Sequence, residues 1–120
     1  MNLLRMFKPK LESEAFYAYF NRMPNTISVG WKKDGEYLVG EVSYDDFSFV
    51  TQAKNADEFV SQVNEGVVIS NNIPRSYISA LREARGYLPS SKVLEELKKA
   101  APGAQGSWVV SREKRKFALA

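Results

Sequence analysis

Three groups of residues carry the chemistry available to this chain. Seven carboxylates, Asp34, Glu36, Glu41, Asp45, Asp46, Asp57 and Glu58, fall between positions 34 and 58. Clustered carboxylates are what a two-magnesium phosphodiesterase site requires. Their local context gives them other work: Asp34, Asp45 and Asp46 are turn formers, and Asp57 and Glu58 sit in the first turn of a helix, where negative charge is favoured by the helix dipole. Only Glu41 lies in mid-strand, and one strand carboxylate does not make a two-metal cage. No catalytic, metal or cofactor residues are therefore assigned, and the chain is read as a non-enzyme. The second group is aromatic: Trp31, Tyr37, Tyr44, Phe47 and Phe49. Such a set either stacks on bases, packs a core, or faces a protein partner. Because only Lys32 and Lys33 lie near these rings, core or partner interface is the favoured role, with Trp31, Tyr37, Phe47 and Phe49 as candidate partner-facing aromatics. The third group is basic: Arg112, Lys114, Arg115 and Lys116 form a C-terminal cluster suited to phosphates or to a partner, or serving only to keep the terminus soluble.

Two absences narrow the field further. The 120 residues contain no His and no Cys, which removes zinc sites, Ser-His triads, thiol nucleophiles and disulfide frameworks. The formal charge of +3 is unevenly spread. From Ser90 onward seven Lys/Arg oppose Glu95, Glu96 and Glu113, about +4, so the preceding body carries about −1. No apolar run reaches the roughly 18 residues that span a bilayer, and Met1–Phe7 is too short for a signal-peptide core. A cytoplasmic protein with no membrane association is expected.

The elements that must position these groups follow from periodicity. Leu11 to Met23 repeats apolar residues at helical spacing, with Ser13 as a candidate cap and Pro24 as a stop. Residues 1–10 read as a loosely held arm. From Thr26 the period changes to two, and Asp34-Gly35 predicts a type I′ hairpin between Ile27–Trp31 and Glu36–Tyr44. Asp45-Asp46 turns the chain into a third strand, Phe47–Ala53. Asn55 with Glu58 forms a capping box before an apolar stripe of Phe59, Val60, Val63, Val67 and Val68. Gly66 inside that stripe marks either close packing or an early helix end. Pro74 opens a further helix to about Tyr87, and Ser90-Ser91 caps a last one, Lys92–Ala100, with Glu95 placed to pair with Lys99. A Pro-Gly-containing connector leads to a terminal strand, Ser107–Val110, with Phe117–Leu119 as its extension.

The order hairpin, third strand, then Thr51-Gln52-Ala53-Lys54-Asn55-Ala56-Asp57-Glu58-Phe59 running into an amphipathic helix resembles the HicB-like antitoxin domain. Ile73-Pro74-Arg75-Ser76-Tyr77 and Tyr87 to Leu97 are similar to the ends of its short single-domain relatives. The resemblance covers residues 26–72 and extends to about 98. The third strand carries Phe47-Ser48-Phe49 where the family has a Pro-Gly-Cys-like segment, and no ribbon-helix-helix or helix-turn-helix follows.

The resemblance implies an α+β fold with a truncated ribonuclease-H-like βββα core: a three-stranded antiparallel meander packed by a helix. An N-terminal helix, two short C-terminal helices and a basic C-terminal strand are added to it. The expected division is an N-terminal arm and helix at 1–25, the HicB-like core at 26–100, and a connector with a basic tail strand at 101–120. The function implied is that of a prokaryotic toxin-antitoxin component: a protein-binding module that neutralises a small basic ribonuclease toxin of the HicA type. Two alternatives stand beside it, a small nucleic-acid-binding protein using the basic C-terminal arm, and an orphan HicB-like domain serving another complex. Separately, a small sheet leaves edges that pair with another copy, so a homodimer is expected.

Overall fold

A computed structural model of the chain describes residues 13–84 and 86–111. The predicted arm, the capping role of Ser13, the basic cluster Arg112, Lys114, Arg115 and Lys116, and the strand extension at 117–119 lie outside what is described.

The fold is α+β, built on one four-stranded antiparallel sheet. Helix α1 (Ser13–Arg22) precedes strands β1 (Thr26–Asp34), β2 (Tyr37–Tyr44) and β3 (Phe47–Ala53). Helices α2 (Ala56–Ser70), α3 (Arg75–Ala84) and α4 (Ser91–Lys99) follow, and β4 (Gln105–Ser111) closes the order. The strands lie β3-β2-β1-β4. The meander is thus as the sequence predicts, whereas the terminal strand is a fourth member of the same sheet, paired with β1 from Thr26↔Ser111 to Lys32↔Gln105. The ladder continues past the strand end, with Lys33 N–H donating to Ala104 C=O at 2.8 Å and Gly103 N–H to Lys33 C=O at 2.8 Å. Nothing local in residues 105–111 announces this partner; pairing across 73 to 85 positions is decided by tertiary packing.

The first hairpin differs from its expected turn. Asp34 pairs with Tyr37, so the central residues are Gly35 and Glu36, and only Gly35 has positive φ, at 58°. A glycine at the first central position with a negative φ after it is the type II′ pattern, not type I′. Both types match strand twist, so the hairpin forms in either case.

Alternation in each strand divides the sheet into two faces. The inner face carries Ile27, Val29, Trp31, Leu38, Val42, Ala53 and Trp108, all buried. It is covered chiefly by α2, whose Phe59, Val63, Val67 and Val68 are buried as the apolar stripe predicts. Each fully buried side chain of this size contributes about 1.5–3 kcal/mol. In one inner row Gly40 and Gly106 flank Trp31, and the missing side chains make room for rings. A Cβ on Gly40 would stand 2.8 Å from Cε1 of Phe59. Gly66 has the same explanation: Phe49 of β3 fills the space where its Cβ would be, and the helix runs on to Ser70.

Local signals set the helix ends. Asn55 Oδ1 accepts from Glu58 N–H at 2.8 Å, the predicted cap. Ser90 Oγ accepts from Val93 N–H at 3.3 Å. Glu95 and Lys99 approach to 3.7 Å one turn apart. The helix opened by Pro74 is described over Arg75–Ala84, and the expected end at Tyr87 is not reached, since residues 86–90 are not helical. Tyr87 belongs instead to the extended link to α4, with its side chain buried in the core. Helices α1 and α3 meet through Tyr19 and Tyr77, whose ring centres are 5.0 Å apart.

Candidate functional site

The registers place twelve side-chain positions on the outer face of the sheet in three rows. These read Ser48–Ser43–Ser28–Val109, Val50–Glu41–Gly30–Ser107 and Gln52–Val39–Lys32–Gln105. Among the described residues no helix lies on this side. Val50 and Val109 are each 69% exposed, and a shallow depression of about 340 Å³ opens over Gly30, walled by Lys32, Val39, Glu41 and Val50. Small and β-branched residues keep the surface flat. One cation, Lys32, and one anion, Glu41, leave it without net charge. Four strands at about 4.8 Å and six residues at about 3.3 Å give roughly 400 Å², about half of what one partner contributes to an ordinary protein interface.

Glu41, the mid-strand carboxylate, is therefore exposed on this face beside Gly30 and Val50. The other carboxylates are where their local roles put them: Asp34, Asp45 and Asp46 at hairpin ends, Asp57 and Glu58 in the first turn of α2. Among the described residues no three His, Cys, Asp or Glu side chains come close enough to share a metal ion.

The aromatics do not form one surface. Trp31 is a core residue, 7% exposed; its strand parity turns it to the inner face, so it is withdrawn from the candidate partner contacts. Phe49 is half-buried, lying over Gly66. Phe47, 44% exposed, stays at the open edge of β3 and touches Tyr44 and Phe49, with ring centres 5.4 and 6.2 Å away. Tyr37 stands on the outer face at the opposite end of β2, with Lys54 Nζ 5.9 Å from its ring centre. Tyr44, whose hydroxyl is hydrogen-bonded to Ser70 Oγ and accepts from Asn71 Nδ2 at 3.2 Å, ties β2 to the C-terminal end of α2.

Charge lies elsewhere on the molecule. Helix α2 carries Asp57, Glu58 and Glu65 and no basic residue. A second concavity of about 200 Å³ lies between the first turn of α2, the β1–β2 hairpin and α4. Its rim holds Lys33, Lys54 and Lys98 together with Asp57, over a floor of Leu38 and Leu97. The outer face itself was not legible as a site, because which of two alternating faces a helix covers depends on the whole sheet. The run of Ser28, Gly30 and Ser43 opposite buried neighbours was the available signal.

No family model matches the chain, and no solved structure matches it significantly. Over 79 residues, 66% of the chain, it is 28% identical to the cell wall alpha-1,3-glucan synthase mok12 of Schizosaccharomyces pombe, and it spans 3% of that protein's length.

Proposed function

We propose that the chain is a protein-binding module whose contact surface is the uncovered outer face of the sheet. The observation that carries this reading is that face itself: a flat, neutral four-strand surface with two exposed valines and a depression over Gly30. A flat face of this kind matches a protein surface better than a small molecule, which takes an enclosed apolar cleft. The resemblance of residues 26–98 to HicB-like antitoxins gives the partner class, a small basic ribonuclease held inactive by the complex. The slightly negative body of the chain before Ser90 favours encounter with such a partner, since complementary fields raise association rates. The 3% span of the glucan synthase supports no activity on glucan.

Co-expression with the reading frame beside its gene tests the proposal. The two products co-purify, and the chain restores growth against the neighbour's toxicity. Gly30→Arg and Ser43→Arg, which crowd the outer face but not the core, weaken the complex at least tenfold while retaining the native circular dichroism spectrum. Recovery of the chain alone, with no growth rescue, contradicts the proposal.

A further inference from the structure

Among the described residues the sheet has two open edges, and β3 is one of them. Its seven residues, Phe47-Ser48-Phe49-Val50-Thr51-Gln52-Ala53, contain no charge, proline or glycine, so the strand itself carries none of the side chains that discourage edge pairing. The two-residue turn at Asp45-Asp46 makes Tyr44↔Phe47 a hydrogen-bonded pair. Alternation then directs the main-chain groups of Phe47, Phe49, Thr51 and Ala53 to β2 and those of Ser48, Val50 and Gln52 outward.

We propose that two copies of this chain join through β3, antiparallel about a two-fold axis at Val50, into one eight-stranded sheet. This register uses the whole strand: Ser48 pairs with Gln52 of the second copy, Val50 with Val50, and Phe49 with Thr51. The outward groups of these pairs satisfy about six main-chain hydrogen bonds. Charge chooses the second copy over an unrelated strand. The residues flanking the strand are Asp46 and Lys54, and the same register sets Asp46 of each copy opposite Lys54 of the other. The strand is thus complementary to itself at both ends and neutral between. The two-fold also runs the α2 helices antiparallel, which separates their acidic first turns. The pairing is independent of the inhibitor reading and stands or falls on its own measurements.

The full chain is examined by sedimentation equilibrium between 5 and 200 µM, where it is expected to sediment as a dimer. Val50→Pro removes an outward N–H that the β2 ladder does not use, a placement an edge strand tolerates; it is expected to yield folded monomer, with the dissociation constant raised at least 100-fold. Asp46→Lys weakens association about tenfold by setting Lys against Lys at two symmetric positions, and adding Lys54→Asp restores it. Since the chain has no cysteine, Val50→Cys introduces a lone thiol about 5.5 Å in Cα separation from its symmetry mate, within disulfide reach. Oxidation cross-links it in full, while Val109→Cys on the β4 edge remains monomeric under denaturing conditions. A monomer at 200 µM, a double charge swap that fails to restore association, or Val109→Cys cross-linking as fast as Val50→Cys overturns the proposal.

Discussion

The side chain of Asn64 holds both main-chain groups of Tyr87: its Oδ1 accepts the Tyr87 N–H at 2.6 Å and its Nδ2 donates to the Tyr87 carbonyl at 3.2 Å. The same Nδ2 reaches the carbonyl of Val60 at 2.8 Å. Asn64 is the one buried polar side chain among the described residues, at 8% exposure. It performs for the link between α3 and α4 what a neighbouring strand performs within a sheet. The Tyr87 hydroxyl completes the attachment by donating to the carbonyl of Pro24, which ties the end of α1 to the same point. Removing the Asn64 amide takes one donor and one acceptor out of this buried link, at about 1–3 kcal/mol for each before any relaxation. Asn64→Leu is accordingly expected to destabilise the chain by about 2–4 kcal/mol, read as a fall in the urea midpoint with an unchanged slope.

Glycines on opposite faces of the sheet separate packing from propensity. Gly40→Ala drives a methyl into the Phe59 ring and is expected to cost about 1–3 kcal/mol. Gly30→Ala, where an added Cβ meets nothing within 4 Å, is expected to be neutral or to stabilise by up to about 1 kcal/mol, since mid-strand glycine is itself unfavourable. Thermal unfolding of the two variants checks the difference. Phe59→Leu in the Gly40→Ala background recovers part of the loss, a coupling that a double-mutant cycle measures.

The indole of Trp108 meets Phe59 edge-on at 6.2 Å between ring centres, and among the described residues its buried Nε1 has no hydrogen-bond partner. Trp108→Phe therefore deletes an unsatisfied donor along with some packing, and the two effects offset. Denaturant titration is expected to show a change below about 1 kcal/mol, against about 3–5 kcal/mol for Trp108→Ala.

The start of α2 rests on its cap. Asn55→Ala removes the acceptor for Glu58 N–H and is expected to cost about 1 kcal/mol, with Asn55→Ser retaining most of the stability. Amide exchange at Glu58 is the most direct readout, rising in the Ala variant and not in the Ser variant.

What could be read from the sequence was what short-range chemistry decides. The β1–β2–β3 meander, the Asn55 cap, the α2 stripe and the Glu95–Lys99 pair each depend on residues a few positions apart. The pairing of β4 with β1 and the grip of Asn64 on Tyr87 depend on residues brought together only by the fold. Asn64 did leave a trace, since it occupies the helical slot between Val60 and Val68, one turn from each, where an apolar residue would continue the stripe. Trp31 meets a similar limit: its type suits a core or a contact surface equally, and its face is fixed only once α2 chooses a side. The II′ turn at Gly35-Glu36 shows a smaller version of the same limit: the turn lies one residue further along than expected, which moves the β1–β2 pairing by two positions and so keeps every side chain on its face.

The surface assigned to partner binding can be observed directly through its valine methyl groups. In the isotope-labelled chain bound to the product of the adjacent reading frame, Val39 and Val109 on the outer face are predicted to shift or broaden, while the buried Val63 and Val67 keep their positions. Perturbation confined to the helical side, for instance at Ile69, with Val39 and Val109 unchanged, would contradict the outer face as the contact surface.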